Sequence, residues 1–386
     1  MRGWIGIAMF LTLLIVVTGG VNFYIYRRMV SSLAIESQTW LWVLRVSFIL
    51  LATSYLTARI LLHSSINVVS VSWFWVGSLW LGLAFYLFLL CLITQFISGV
   101  LQISGAYKPI ENALGLNIGI AGFILVLGSA LFISGFAFRE ANGKADTPVL
   151  EVPVKKLPRE LDGFSIAQIT DLHLDVVMSP AWVKRMVDQV NSLNPDLIVI
   201  TGDLIDEDPD RSPQIFEQLK RMNSRYGVLA VTGNHEFYVG VNRVVRHALD
   251  ANIRYLRNEK VVIAGSLNFY GIDDPSVKYR FGGELVPFEK VIGPEAKVEP
   301  AILLYHRPAH IEKLAGLGID LVLCGHTHNG QLWPFVYVVR RFFPRVTGHF
   351  TVGNSHLYVS RGTGTWGPPM RFGSPPEITK IVLRSK

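Results

Sequence analysis

Four long apolar runs, residues 5–26, 39–62, 69–97 and 116–138, fill the first third of the chain and limit what it can become. Each is nearly free of charge and, at about 1.5 Å per helical residue, long enough to cross a hydrocarbon core of about 30 Å. A run without water to satisfy its backbone must be helical, so the reading is four transmembrane helices. Trp40, Trp42, Trp73, Trp75, Tyr24 and Tyr26 sit near their ends, where interfacial aromatics belong. The first run is long for a signal peptide and no Ala-x-Ala site follows it. Arg45 lies only a few residues inside the second run, close enough to snorkel to the interface.

A mean hydropathy of +0.37 with 17% charged residues agrees with a chain that is partly in a membrane. Residues 1–138 hold six Lys or Arg and two acids, so the net +7 divides into +4 and +3 between this part and the remainder. A pI near 9.3 therefore marks no nucleic-acid binder. With an even number of spans both termini share one side. Arg2, Arg59, Arg139 and Lys144 flank the spans there, against Arg27, Arg28 and Lys108 opposite, which places the carboxyl-terminal domain on the cytoplasmic side of the cell (inner) membrane. Cys91 and Cys324 form no disulfide framework.

Residues 139–158, with Gly143, Pro148, Pro153 and Pro158 among charges, read as a linker. From Phe164 apolar strands and helical stretches alternate: strands at 164–170, 197–201 and 227–231, helices at 180–193, 212–222 and 241–251. That alternation predicts βαβ units with a mostly parallel sheet. Further strands at 261–263, 267–270, 301–305, 319–323, 357–359 and 378–383 are too many for one modest sheet, so a second sheet packed on the first is expected.

The carboxyl ends of these strands carry residues that ligate metals. They are Asp171-Leu172-His173, Gly202-Asp203, Gly233-Asn234-His235-Glu236, His306, and Gly325-His326-Thr327-His328. Each has an ordinary use by itself, the acids as helix caps, Asn234 in a turn, His306 in the core. Seven such residues on five successive strand ends, at the edge where open α/β sheets hold ligands, point instead to one site. Carboxylate, amide oxygen and imidazole suit borderline divalent metals such as Mn, Fe or Zn. The His326/His328 pair could serve one metal or two neighbouring ones.

In order and spacing these motifs resemble those of the calcineurin-like metallophosphoesterase superfamily, over residues 160–386. The ending, Gly362 to Arg371 and Pro375-Pro376-Glu377-Ile378, is similar to that of its membrane-associated branch of YkuE- and YaeI-like phosphodiesterases. The resemblance implies an α/β/β/α sandwich for residues 159–386 and a two-metal site bridged by Asp203. Asp171, His173 and His328 would complete one metal's shell, and Asn234, His306 and His326 the other's. His235 would be the catalytic acid, not a ligand, and Arg307 and Arg371 would clamp the phosphate of the substrate. The acidic run from Asp206 to Asp208, where serine/threonine phosphatases of the superfamily carry arginine, argues against a phosphoprotein substrate. Asn329 stands where many members of the branch have glycine.

A membrane-tethered domain of this kind implies hydrolysis of a phosphodiester or pyrophosphate bond, in a lipid-linked substrate of the UDP-diacylglucosamine type. Competing readings are a phosphatase or nucleotide phosphodiesterase on soluble substrates, and a non-catalytic membrane scaffold or sensor. The stretch Leu332 to Arg345, aromatic, apolar and basic at once, reads as lying on the bilayer, with membrane lipids as partners.

Overall fold

The computed structural model describes residues 2–175 and 178–385, with the side chains of all of these except 2–11, 13, 14, 279 and 280. The chain divides into two compact units, Met1–Arg139 with Gly367–Met370, and Glu140–Trp366 with Arg371–Lys386.

The first unit contains α1 (Arg2–Ser32), α2 (Gln38–Ser64), α3 (Val68–Ile103) and α4 (Tyr107–Leu114), with most of α5 (Ile118–Asn142). Among the described residues α2, α3 and α5 are long and apolar enough to cross a membrane. The run 5–26 lies in α1, and its first half falls largely outside the described side chains. Asn67 starts α3 by accepting from the backbone of Val69 and Ser70, while the Ser70 hydroxyl accepts from the Asn67 amide. Gly77 lets α3 approach the α2 backbone at Ser54 and Tyr55, where a Cβ would collide. Arg45 donates to the Tyr26 hydroxyl at 3.0 Å and lies over the Trp42 ring.

The second unit is built on two sheets. One has the order β1-β12-β2-β3-β4-β5, from β1 (Val149–Val154), β2 (Ser165–Ile169), β3 (Leu197–Ile200), β4 (Val228–Ala230), β5 (Ile253–Tyr255) and β12 (Thr379–Ser385). The other has the order β10-β11-β9-β8-β7-β6, from β6 (Glu259–Ile263), β7 (Leu267–Gly271), β8 (Ala301–Leu304), β9 (Leu321–Cys324), β10 (Gly348–Val352) and β11 (Ser355–Val359). The remaining helices are α6 (Pro180–Ser192), α7 (Pro213–Leu219), α8 (Asn234–Val239), α9 (Val241–Asp250), α10 (Ser276–Phe281), α11 (Phe288–Val291), α12 (Ile311–Gly316) and α13 (Val336–Phe342).

Alternation along the strands explains the layers. Ile166, Leu197 and Val199 face Phe269, Ile302, Leu304 and Leu321 in the core between the sheets. Their neighbours Ala167, Ile198 and Ile200 turn to the opposite face, against Val183, Val187, Ile215, Leu219 and Val244 of α6, α7 and α9. On the second sheet Leu303, Val322 and Leu357 pack with Ile311 and Leu314 of α12. Strands buried on both faces read as unbroken apolar runs, and the α/β/β/α sandwich expected from them is the architecture found.

The stretch 139–158 needs correction. Helix α5 continues to Asn142, and Val149–Val154 is not a linker but β1, paired in parallel with β12. Pro153 fits because β1 has a single neighbour and is an edge strand.

Candidate metal centre

Parallel strands β2, β3 and β4 of the first sheet and β8 and β9 of the second are followed by segments whose polar side chains converge. Asp171, His173, Asp203, His326 and His328 all have positive φ, between 47° and 74°. Non-glycine residues rarely adopt this conformation, and a cluster of five is strain held by the surrounding fold. Asn329 is in the same region at φ 49°, and asparagine is among the few non-glycine side chains that tolerate it.

The glycines of the motifs are there for close approach. A Cβ on Gly325 would strike the Asp171 carboxylate and Thr170, and one on Gly233 would strike Asp203. We expect Gly325→Ala to lower divalent-metal affinity about tenfold, as disturbance of a ligand's setting does. Equilibrium dialysis against Mn or Zn checks this, and unchanged affinity would contradict the packing.

Three overlapping groups of ligand atoms result: Asp171, His173 and His328; His173, Asp203 and His235; and Asp203, His306 and His326. His328 Nε2 lies 3.3 Å from Asp171 Oδ1 and 3.0 Å from His173 Nε2. His306 Nε2 lies 3.1 Å from both Asp203 Oδ2 and His326 Nδ1. Asp203 Oδ2 stands 3.9 Å from His173 Nε2, so the first and third groups meet across this carboxylate.

The protons on the histidines are set from behind. Nδ1 of His306 is 2.8 Å from the carbonyl of Thr201 and can only donate to it, which leaves Nε2 as the nitrogen that faces Asp203. His173 Nδ1 likewise donates to Asp206 Oδ1 at 2.7 Å, turning its Nε2 inward. Asn234 is buried and, among the described residues, its Oδ1 has no hydrogen-bond partner. Several acceptor atoms converging on each other with an orphaned amide oxygen beside them fit divalent cations of the Mn, Fe or Zn type.

The electrostatics agree. Burial alone would raise the Asp203 and Asp171 carboxyls, yet His306 beside the first and His328 beside the second hold both far below the ordinary range. Burial would lower His306, but Asp203 outweighs it and pushes the imidazole up to about 10, so the proton on Nε2 is one that a cation at Asp203 would displace. His326 and His328 are driven down to about 3 and about 4, chiefly by burial, and are therefore neutral, the form that ligates.

His235 stands at the edge of this cluster, its Nδ1 2.7 Å from Asp206 Oδ1 and its Nε2 4.0 Å from Asp203 Oδ2. Against the lowering effect of burial, Asp206 and then Asp203 raise it to about 9, a protonated imidazole. Asp206 thus grips both His173 and His235, a role the sequence reading missed because this acid lay within an acidic turn. Its signal was the spacing, three residues after Asp203. Glu236 is also structural to the site, for it accepts the backbone N–H groups of Asp203, Leu204 and Gly233 and ties the ends of β3 and β4 together.

The two arginines part company. Arg371 is fully buried and commits its N–H groups to the carbonyls of Gly364, Arg361 and Ser374, with Nη2 3.2 Å from His328 Nδ1. It cannot clamp a phosphate from there, which corrects that expectation. Arg307 forks onto Asp274 through Nε and Nη2, and among the described residues Nη1 has no hydrogen bond.

Residues 164–330 match the calcineurin-like phosphoesterase family. An uncharacterized metallophosphoesterase of Helicobacter pylori strain J99 is 31% identical over 307 residues, covering 77% of this chain and 81% of the relative. One from Campylobacter jejuni is 28% identical over 380 residues, 97% and 98% of the two chains. A transmembrane protein with a metallophosphoesterase domain from Bos taurus is 30% identical over 395 residues, 94% of this chain and 86% of its own. The similarity to this relative runs through the apolar helices as well as the sandwich.

Proposed function

From the premise that this chain belongs to the calcineurin-like metallophosphoesterases, we propose that it is a multi-pass membrane enzyme that hydrolyses a phosphodiester or pyrophosphate bond of a lipid-linked substrate. The observation that carries the reading is the pair of ligand groups joined at Asp203, with His235 beside them. Asp171, His173 and His328 would hold one ion and Asn234, His306 and His326 the other, Asp203 contributing to both.

Two divalent cations bound there supply neutralisation of phosphoryl charge and a nucleophile at neutral pH. The chain's own residues supply the rest. Asp206 fixes the His235 imidazole in a protonated state with Nε2 toward the site, from which it gives a proton to the departing ester oxygen. The Thr201 carbonyl and Asp206 keep His306 and His173 in the ligating tautomer. Arg307, held by Asp274 through Nε and Nη2, would offer its remaining N–H groups to a phosphoryl oxygen. Arg371 acts through His328 and positions it.

The apolar helices support the lipid-linked reading, because a soluble substrate requires no anchor in the bilayer. The basic residues Arg59, Arg139 and Lys144 support a cytoplasmic domain at the cell membrane.

The test is a screen of full-length protein in lipid nanodiscs, loaded with Mn, Fe or Zn, against phosphomonoesters, phosphodiesters and pyrophosphates, both soluble and lipid-linked. The expected result is cleavage of a lipid-linked diester or pyrophosphate well above that of a soluble one with the same bond. Equal rates on both would sink the lipid-linked reading, and no ester cleaved faster than by Asp203→Asn would sink the enzyme.

A further inference from the structure

The turn that carries His326 and His328 runs straight into α13, and the two are built as one piece. Gly330 packs so closely on Phe335 and Val336 that a Cβ would collide with their backbone. The amide of Trp333 donates to the Phe372 carbonyl at 2.9 Å, and that of Phe372 to the Gln331 carbonyl at 2.9 Å. At the far end of the helix the Phe343 ring lies 5.0 Å from the ring of His326. Whatever holds α13 therefore holds the metal-site histidines.

The inner side of α13 is the buried Val336 with the half-buried Val339. Its outer side is unusual for a surface helix. Phe342 is 73% exposed and Tyr337 60%, with Val338 beside them and Trp333 51% exposed just before the helix. Arg340 and Arg341 share this side, Arg340 lying over the Tyr337 ring, and among the described residues neither has an acidic partner. Large exposed apolar side chains on one short element mark a surface made to be covered. Aromatic rings interleaved with arginines are the composition of the headgroup layer, where the rings take the boundary and the guanidinium groups meet lipid phosphate.

We propose that α13 docks on the surface of an anionic bilayer, Tyr337, Val338 and Phe342 entering the boundary of the acyl chains and Arg340 and Arg341 resting on phosphates. The occupant is the bilayer because the same chain carries helices apolar enough to span one, so that this surface is always within reach of the domain. Docking puts the turn of His326 and His328 at headgroup height, where the phosphoester of a lipid-linked substrate lies. This consequence rests on the two-metal reading above, whereas the docking does not.

The experiment uses full-length protein, one chain per nanodisc, in phosphatidylcholine alone or mixed with phosphatidylglycerol. An environment-sensitive fluorophore is attached at Phe342→Cys, with unsubstituted protein as the blank because Cys91 and Cys324 are buried. Docking predicts blue-shifted emission and quenching by lipids brominated near the headgroup. Arg340→Gln with Arg341→Gln should lower the ratio of docked to undocked α13 about thirtyfold in the phosphatidylglycerol discs, as expected for two arginines near an anionic surface. Tyr337→Ser with Phe342→Ser should raise KM for a lipid-linked diester while leaving kcat/KM for bis(p-nitrophenyl) phosphate unchanged. Water-like emission without quenching in both lipids overturns the proposal, as does quenching that appears only when two chains share a disc, which would make a second copy the occupant. The fluorescence reads docking without turnover, so an inactive preparation with a quenched probe refutes the enzyme reading and leaves docking standing.

Discussion

Asp203→Asn loses phosphoester hydrolysis by about a thousandfold or more under every metal. Lewis-acid stabilisation is worth several kcal/mol, and each 1.36 kcal/mol is about tenfold in rate. The substitution acts through a single atom. Asp203 Oδ1 accepts the amide of His235 at 2.9 Å, and the carbonyl oxygen of asparagine can keep that bond. Oδ2 faces His306 at 3.1 Å and His173 at 3.9 Å, and an NH2 in its place offers no lone pair to a cation between them. The fold should survive, because Glu236 still ties the backbone of Asp203 and Leu204 to Gly233. Unchanged far-UV circular dichroism with rates measured in parallel separates lost chemistry from lost structure. Activity within tenfold of wild type would remove Asp203 from the centre of the site.

Asp206→Ala has the next largest effect, about a hundredfold in metal affinity and in kcat/KM, the upper end of what partners of ligating histidines contribute. One oxygen, Oδ1, holds Nδ1 of both His173 and His235 at 2.7 Å. Without it both rings can turn or change tautomer, one losing its hold on a metal and the other its aim at the leaving group. Two buried N–H donors would also be left unmet. Asp206→Asn should fall between, since an amide oxygen in the place of Oδ1 still accepts from both rings but lacks the charge that raises His235. Calorimetric titration with Mn or Zn, alongside kcat/KM, gives the answer, and an alanine variant that binds and turns over like wild type would refute the role.

What the sequence revealed and what it hid have physical reasons. The sandwich was legible because Leu197 to Ile200 and Leu321 to Cys324 are apolar without interruption, and Ile166 to Ile169 is broken only by the buried Gln168, as suits strands covered on both faces. The ligand candidates were legible because each stands at the end of such a run, often behind a glycine that makes room for a carboxylate. Strand β1 was hidden by Pro148 and Pro153, since proline signals a break locally, while an edge strand tolerates it once β12 is beside it. Asp206 was hidden because its partners, His173 and His235, are distant in sequence and meet only through the register of β2, β3 and β4. Arg371 read as a phosphate clamp, and only the folded chain surrounds it with carbonyls. The exposure of Tyr337 and Phe342 on α13 belongs to the tertiary structure alone.

Metal content per chain tests the central claim most directly. Full-length protein dialysed against Mn or Zn and analysed by mass spectrometry of the elements should hold two ions, as a two-metal site requires. His328→Ala should lose the ion held with Asp171 and His173, and His326→Ala the one held with Asp203 and His306, so each variant falls to about one and the double variant to none. Wild type saturating at a single ion, or both variants keeping two, would contradict the division of the histidines between two metals.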